Sequence, residues 1–189
     1  MNPPLLQIVT VSTREHRKGP AITAWFEQAA RAHGGFAIEV VDLAEVNLPM
    51  MNEPENPRLR HYRHEHTKAW SLIATRADAF VFVLPEYNHS IPPSLANALD
   101  YLLLEWAYKA AAFVSYGGVS GGLRAVQHTK PMLTGLRMMP IPEAVVIPFF
   151  NKQINEAGIF TPNPAESSAA ASMLDELLRW TMALQALRA

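Results

Sequence analysis

The 189-residue sequence contains no cysteine. That excludes disulfides, thiolate metal sites, cysteine nucleophiles and cysteine-ligated iron–sulfur clusters together. It also removes the usual mark of a small secreted domain. Net charge is nearly absent: 16 basic residues stand against 17 acidic ones, for a formal charge of −1. A nucleic-acid binder shows a basic excess that this chain does not have. Long hydrophobic runs are missing as well. Stretches such as Ala79–Pro85 are far short of the roughly 20 residues a membrane span needs, so no membrane partner is expected. The first basic residue is Arg14, so the charged start of a signal peptide is absent and a cytoplasmic location is expected. Charged residues make up 17% and hydrophobic residues 49%, too apolar a balance for a disordered chain. There are no repeats and no low-complexity tracts. At roughly 100–200 residues per domain, residues 1–189 are expected to form a single domain.

Two periodicities alternate along the chain. Leu5–Val11, Phe36–Val41, Ala79–Leu84, Ala110–Tyr116 and Glu143–Pro148 are short, apolar runs that read as strands. Ala79–Leu84 does not alternate, as befits a central parallel strand buried on both faces. Between the strands, apolar residues recur at helical spacing. The first helix carries Ile22, Trp25, Phe26 and Ala30 and stops at Gly34-Gly35. The second is expected from Arg58 to Ala77, after an irregular stretch from Leu43 to Pro57. A third opens at Pro92-Pro93 and carries Leu95, Leu99, Leu102 and Leu103. A fourth runs from Leu123 to Leu136 through Pro131, and a fifth follows the capping box Asn163-Pro164-Ala165-Glu166. Five strands alternating with five helices predict an α/β protein with a doubly wound parallel sheet. The leading strand order is the flavodoxin-like 2-1-3-4-5. Ligands in such sheets bind beyond the carboxyl ends of the strands at the switch point, between strands 1 and 3.

Three unusual loops fall at those ends. Ser12–Pro20 leads into a helix amino terminus with two hydroxyls and the cations Arg14, Arg17 and Lys18. It reads either as a phosphate site or as a solvated polar cap. Pro85–Pro93 is stiffened by prolines and offers amides, the Tyr87 ring and Asn88. It suits a flat heteroaromatic ligand, or is an ordinary turn. Gly117–Gly122 lets backbone approach a ligand closely.

Several sharper motifs fail. Gly118-Val119-Ser120-Gly121-Gly122 fits the G-x-S-x-G nucleophile elbow, which makes a serine hydrolase using Ser120 a rival. That fold needs an acid and then a histidine downstream; His128 is the last histidine and every later acid follows it. No pair of glycines has the spacing of a dinucleotide fingerprint, and Leu123-Arg124 stands where a P-loop needs Lys-Ser/Thr. His61, His64 and His66 cluster, but Arg60 and Arg63 would oppose a metal cation. They read as a polar surface turn.

At the three loops the sequence resembles the NAD(P)H-dependent FMN reductase family, the flavodoxin-like group of flavin, quinone and azo-dye reductases. The resemblance runs from about Leu5 to Pro148. Its most specific part is Pro85-Glu86-Tyr87-Asn88-His89-Ser90-Ile91-Pro92, with Phe113–Arg124 and Ser12-Thr13-Arg14 with Arg17 in support. Two positions depart from the family pattern: Val11 replaces a usual glycine, and Glu15-His16 a common Pro-Gly. The resemblance implies FMN in the crevice and NADPH or NADH as reductant, with a free flavin, quinone or azo compound as the small-molecule acceptor. It places the phosphate at Ser12, Arg14, Arg17, Lys18, Gly19, Pro20, Ala21 and Ile22. It lines the isoalloxazine with Pro85, Glu86, Tyr87 and Asn88 on one side and Tyr116, Gly117, Gly118, Ser120 and Gly121 on the other. It supplies no acid, base or nucleophile, because the chemistry is the cofactor's. A homodimer or homotetramer is implied too, and the apolar Leu102-Leu103-Leu104 with Trp106 agrees with a second burial surface. The alternative from another class is a flavodoxin-type electron carrier, which is expected to be more acidic than −1.

Overall fold

The most apolar run of the sequence lies at the middle of the sheet. In the computed structural model, which describes residues 3–188, β3 (Ala79–Pro85) is buried along its whole length. It pairs in parallel with β1 (Leu5–Thr10) and β4 (Ala110–Gly117). β2 (Ala37–Asp42) and β5 (Met139–Pro148) form the edges. The order is β2-β1-β3-β4-β5, the flavodoxin-like order expected.

Each face of the sheet has its own core. Phe80, Phe82 and Leu84 of β3 join Val9, Phe113, Trp70, Leu95, Trp106 and Val126 on one side. Val81 and Val83 join Leu6, Ile8, Ile22, Phe26, Met173 and Leu177 on the other. Period-two side chains that are apolar on both faces explain why the strand does not alternate. The first side is covered by α3 (Glu65–Arg76), α4 (Pro93–Asp100) and α5 (Leu123–Gly135). The second is covered by α1 (Gly19–His33) and α6 (Pro164–Leu184). α1 stops at Gly34 with φ 75°, and α6 begins at the expected Asn163–Glu166 capping box. α5 continues through Pro131 to Gly135.

Three expectations need correction. The second long helix starts at Glu65, not Arg58. Pro57–Leu59 form one 3-10 turn closed by Arg60 at φ 54°. The Glu53 carboxylate then accepts the Arg63 and His64 amides, holding that segment outside the helix. The stretch after β2 is not wholly irregular, because Asp42 caps a short α2 (Leu43–Val46) by accepting the Ala44 amide. α4 ends at Asp100, before Leu102. Leu102 and Trp106 then turn into the core; Trp106 donates to the Leu99 carbonyl and packs edge-on against Phe80. The continuous apolar helix face expected from Leu102 to Trp106 therefore does not exist. Among the described residues, no helix is long and apolar enough to cross a membrane.

Candidate functional site

The order of the strands brings three loops to one place. Ser12 follows β1, Pro85–Tyr87 close β3, and Tyr116–Gly118 close β4. Together they line a cleft of about 540 Å³, with Arg14, Glu15, His16, Arg17, Lys18, Phe150 and Asn151 completing it. It opens at the switch point, where such sheets bind ligands. A hollow of about 610 Å³ at the opposite end of the sheet is lined by Asp78, Lys109 and Arg188 among others. It touches none of the three loops.

One wall of the cleft is anion-seeking. The amino end of α1 has Lys18 at its cap position, and Lys18 makes no side-chain capping bond. The first amides of that helix, a partial positive charge, therefore face the loop without an internal side-chain partner. Arg14 and Lys18 stand beside it, both exposed. Arg14 holds its guanidinium over the Tyr87 ring, 5.7 Å from the centroid. Among the described residues, neither cation is ion-paired to a carboxylate. Arg17 is different. It donates to the Ser12 carbonyl at 2.9 Å and to Asp42 Oδ2 at 2.6 Å, with both side chains largely buried. It ties the loop to the end of β2.

Behind the cations lie hydroxyls. Ser12 Oγ and Tyr87 Oη are 2.6 Å apart. Burial pushes the Tyr116 phenol upward, with Tyr87 adding to the shift, against the lowering effects of Ser12, Arg17 and Arg14. It remains a neutral hydrogen-bonding group. The Tyr116 ring meets Phe150 edge-on at 5.0 Å. A Cβ on Gly19 would lie 2.9 Å from the Tyr116 hydroxyl oxygen. Only glycine lets the helix start this close to the phenol.

The sequence-derived residues divide into groups. Ser12, Arg14, Arg17, Lys18, Pro85, Glu86, Tyr87, Tyr116, Gly117 and Gly118 line the cleft. Gly19, Pro20, Ala21 and Ile22 form the first turn of α1, and the Ile22 side chain lies in the core. From that turn the backbone is what can face a ligand; Pro20 contributes no amide. Asn88 does not line the cleft. Asn88 and His89 both have positive φ, at 50° and 63°, and Tyr87 and Ser90 exchange backbone bonds across them. Asn88 is thus the exposed tip of a tight two-residue turn. Ser120 and Gly121 sit behind the wall. Ser120 Oγ donates to Glu86 Oε2 at 2.8 Å, and His128 pairs with Ser90 instead. Ser120 and His128 therefore do not form the serine–histidine pair that a hydrolase of this kind needs. Phe150 and Asn151 were missed by sequence reasoning. Their signal was available: they follow β5, which the strand order places beside β4.

Among the described residues, no group of three or more His, Asp or Glu side chains is arranged to hold a metal ion. The cleft instead combines an anion-seeking end with two phenols and a close-approaching glycine backbone. That donor set fits a flat ring carrying a phosphate.

Known proteins resemble this chain over most of its length. The family model described as NADPH-dependent FMN reductase matches residues 6–152. An NAD(P)H-dependent FMN reductase of Schizosaccharomyces pombe is 39% identical over 149 residues, covering 77% of this chain and 74% of that protein. An NADPH:quinone oxidoreductase of Arabidopsis thaliana is 29% identical over 148 residues, covering 77% and 68%. The solved structure of FerB, a flavoenzyme NAD(P)H:(acceptor) oxidoreductase from Paracoccus denitrificans, has the same fold. Its TM-score is 0.73 at 21% identity, with 95% of this chain and 97% of that one covered.

Proposed function

The chain belongs to the NADPH-dependent FMN reductase family, and on that premise we propose that the switch-point cleft binds one FMN and passes reducing equivalents from NADPH or NADH to a small acceptor. The protein is an NAD(P)H-dependent oxidoreductase. Free flavins, quinones and azo compounds are the acceptor class, in keeping with relatives named as quinone and azo reductases. The observation that carries the assignment is the convergence around one cleft of an α1 end without a side-chain cap, of Arg14 and Lys18 with no carboxylate partner among the described residues, and of the Tyr87–Gly117 walls.

FMN held there would supply the redox chemistry between the nicotinamide and the acceptor. The chain's own residues bind and orient. Ser12, Arg14, Lys18 and the first turn of α1, Gly19 to Ile22, with its positive end, would hold the phosphate, and Arg17 fixes the shape of their loop. Pro85–Tyr87 and Tyr116–Gly118 flank the ring, while Asn88, Ser120 and Gly121 shape those walls from outside. The hydroxyls of Tyr87 and Tyr116 offer hydrogen bonds, and burial keeps the Tyr116 phenol neutral.

The protein should be yellow or take up FMN, and NADPH or NADH should bleach it anaerobically. Failure to bind FMN at any concentration overturns the assignment. Oxidation of the nicotinamide with turnover also separates a reductase from an electron carrier, which a net charge of −1 already disfavours. Residues 1–189 form one functional unit in this proposal, acting as a homodimer or homotetramer in the cytoplasm.

A further inference from the structure

Glu86 follows β3 directly, and its side chain is 8% exposed. Three donors converge on its two carboxylate oxygens. Ser120 Oγ at 2.8 Å and the Arg124 amide at 3.1 Å share Oε2, while Arg124 Nη1 reaches Oε1 at 2.5 Å. All three belong to the turn after β4 and the first turn of α5. That helix has Gly122 at its cap position and no side-chain cap of its own. Glu86 supplies the missing acceptor from the neighbouring strand, where a negative charge is favoured by the helix end. Burial alone would raise this carboxyl; the bonds from Ser120 and Arg124 outweigh it and hold it below the usual range. The group is therefore an anion throughout the neutral range.

The position of this clamp gives it a consequence for binding. Tyr87, the next residue, lines one wall of the cleft, and Gly117–Gly118 line the other. Beyond the last sheet pair, Pro85 with Tyr116, one backbone bond of 3.3 Å joins Glu86 to Tyr116. The carboxylate adds three more bonds at the same place. We propose that Glu86 is a positioning residue whose pairing with Arg124 and Ser120 sets the spacing of the two walls, and through it the affinity and orientation of the planar ring between them. This rests on the flavin assignment above.

The test is a titration of the full-length protein with FMN and with riboflavin, read by flavin fluorescence, together with visible circular dichroism of the flavin-saturated protein. Glu86→Gln keeps the size but sets an amide against Arg124, and is expected to weaken FMN on the order of tenfold. Riboflavin should weaken by the same factor, because the wall and not the phosphate end is disturbed. The dichroism of the saturated variant should differ from wild type, since the ring sits in altered walls. Arg124→Met should produce a smaller loss in the same direction. The double variant should be little worse than Glu86→Gln, because both remove one interaction. Should Glu86→Gln not fold, Arg124→Met alone decides the matter on the same two readouts. Wild-type affinities and an unchanged dichroism spectrum in the variants, even with a lowered melting temperature, overturn the clamp and leave the flavin site standing. A wild-type protein that binds no flavin overturns both.

Discussion

Among the cations of the first loop, geometry separates roles that the sequence leaves equal. Arg14 is exposed and has no carboxylate partner among the described residues, whereas Arg17 is held by Asp42 and the Ser12 carbonyl. Arg14→Ala is expected to weaken FMN by about tenfold or more, since a charged hydrogen bond to phosphate contributes roughly 1.5–3 kcal/mol. Riboflavin, lacking the phosphate, should hardly change; equal weakening of both would show that Arg14 only shapes the loop. Arg17→Ala should act on the fold instead. It leaves Asp42 largely buried without its partner, and a stability loss of about 2 kcal/mol is expected in denaturant unfolding. An Arg17→Ala protein of wild-type stability but lost FMN binding would reverse the two assignments. At Gly122, φ is +85° and an added Cβ would lie 2.8 Å from the Tyr116 amide nitrogen. Gly122→Ala meets backbone that cannot yield, so a loss of at least about 2 kcal/mol is expected, read by the same unfolding measurement.

At the scale of elements, the carboxyl end of α3 is completed by a side chain from elsewhere in the chain. Lys109, just before β4, is buried and donates from Nζ to the carbonyls of Ala74 and Thr75 at 2.8 and 3.1 Å. Burial, with Arg188 nearby, lowers its pKa to about 8, against the opposing pull of Asp78 and Glu105. An unfolded lysine titrates near 10.4. Between about pH 8 and 10.4 the unfolded chain therefore binds more protons than the folded one, and stability attributable to this residue rises with pH. Comparison of wild type with Lys109→Met isolates that contribution from other groups. The wild type should gain about 2 kcal/mol relative to the variant between pH 7.5 and 10. Parallel pH profiles for the two proteins would show that Lys109 titrates normally. The same region shows why a helix end could not be read in advance. α4 stops at Asp100 because Leu102 and Trp106 find deeper burial by leaving the helix than by extending it.

For the whole molecule, that burial removes one ground for association: Leu102 and Trp106 are covered by their own chain. Exposed apolar side chains lie elsewhere. Val119, Leu123 and Phe149 are on the surface, and Phe149 is bonded through its amide to the Gly118 carbonyl beside the cleft. The proposed homodimer or homotetramer would place such residues against another copy. Light scattering at micromolar concentration should give at least twice the monomer mass of 21.0 kDa. A monomer there would refute it.

The sheet and its order were legible because they follow from local signals. Ala79–Leu84 is too apolar to be anything but central, and right-handed crossovers leave few ways to arrange five such strands. The Ser12, Pro85–Tyr87 and Tyr116–Gly118 parts of the cleft were legible for the same reason, since strand order alone decides which loops meet. Three things were decided by contacts between residues far apart in sequence. The start of α3 depended on Glu53 reaching Arg63 and His64, the role of Arg17 on Asp42, and the partner of Ser120 on Glu86. In each case the sequence set the chemical capacity of the side chain. Which of several possible partners used it was a matter of distance, and distance between remote residues exists only once the chain has folded.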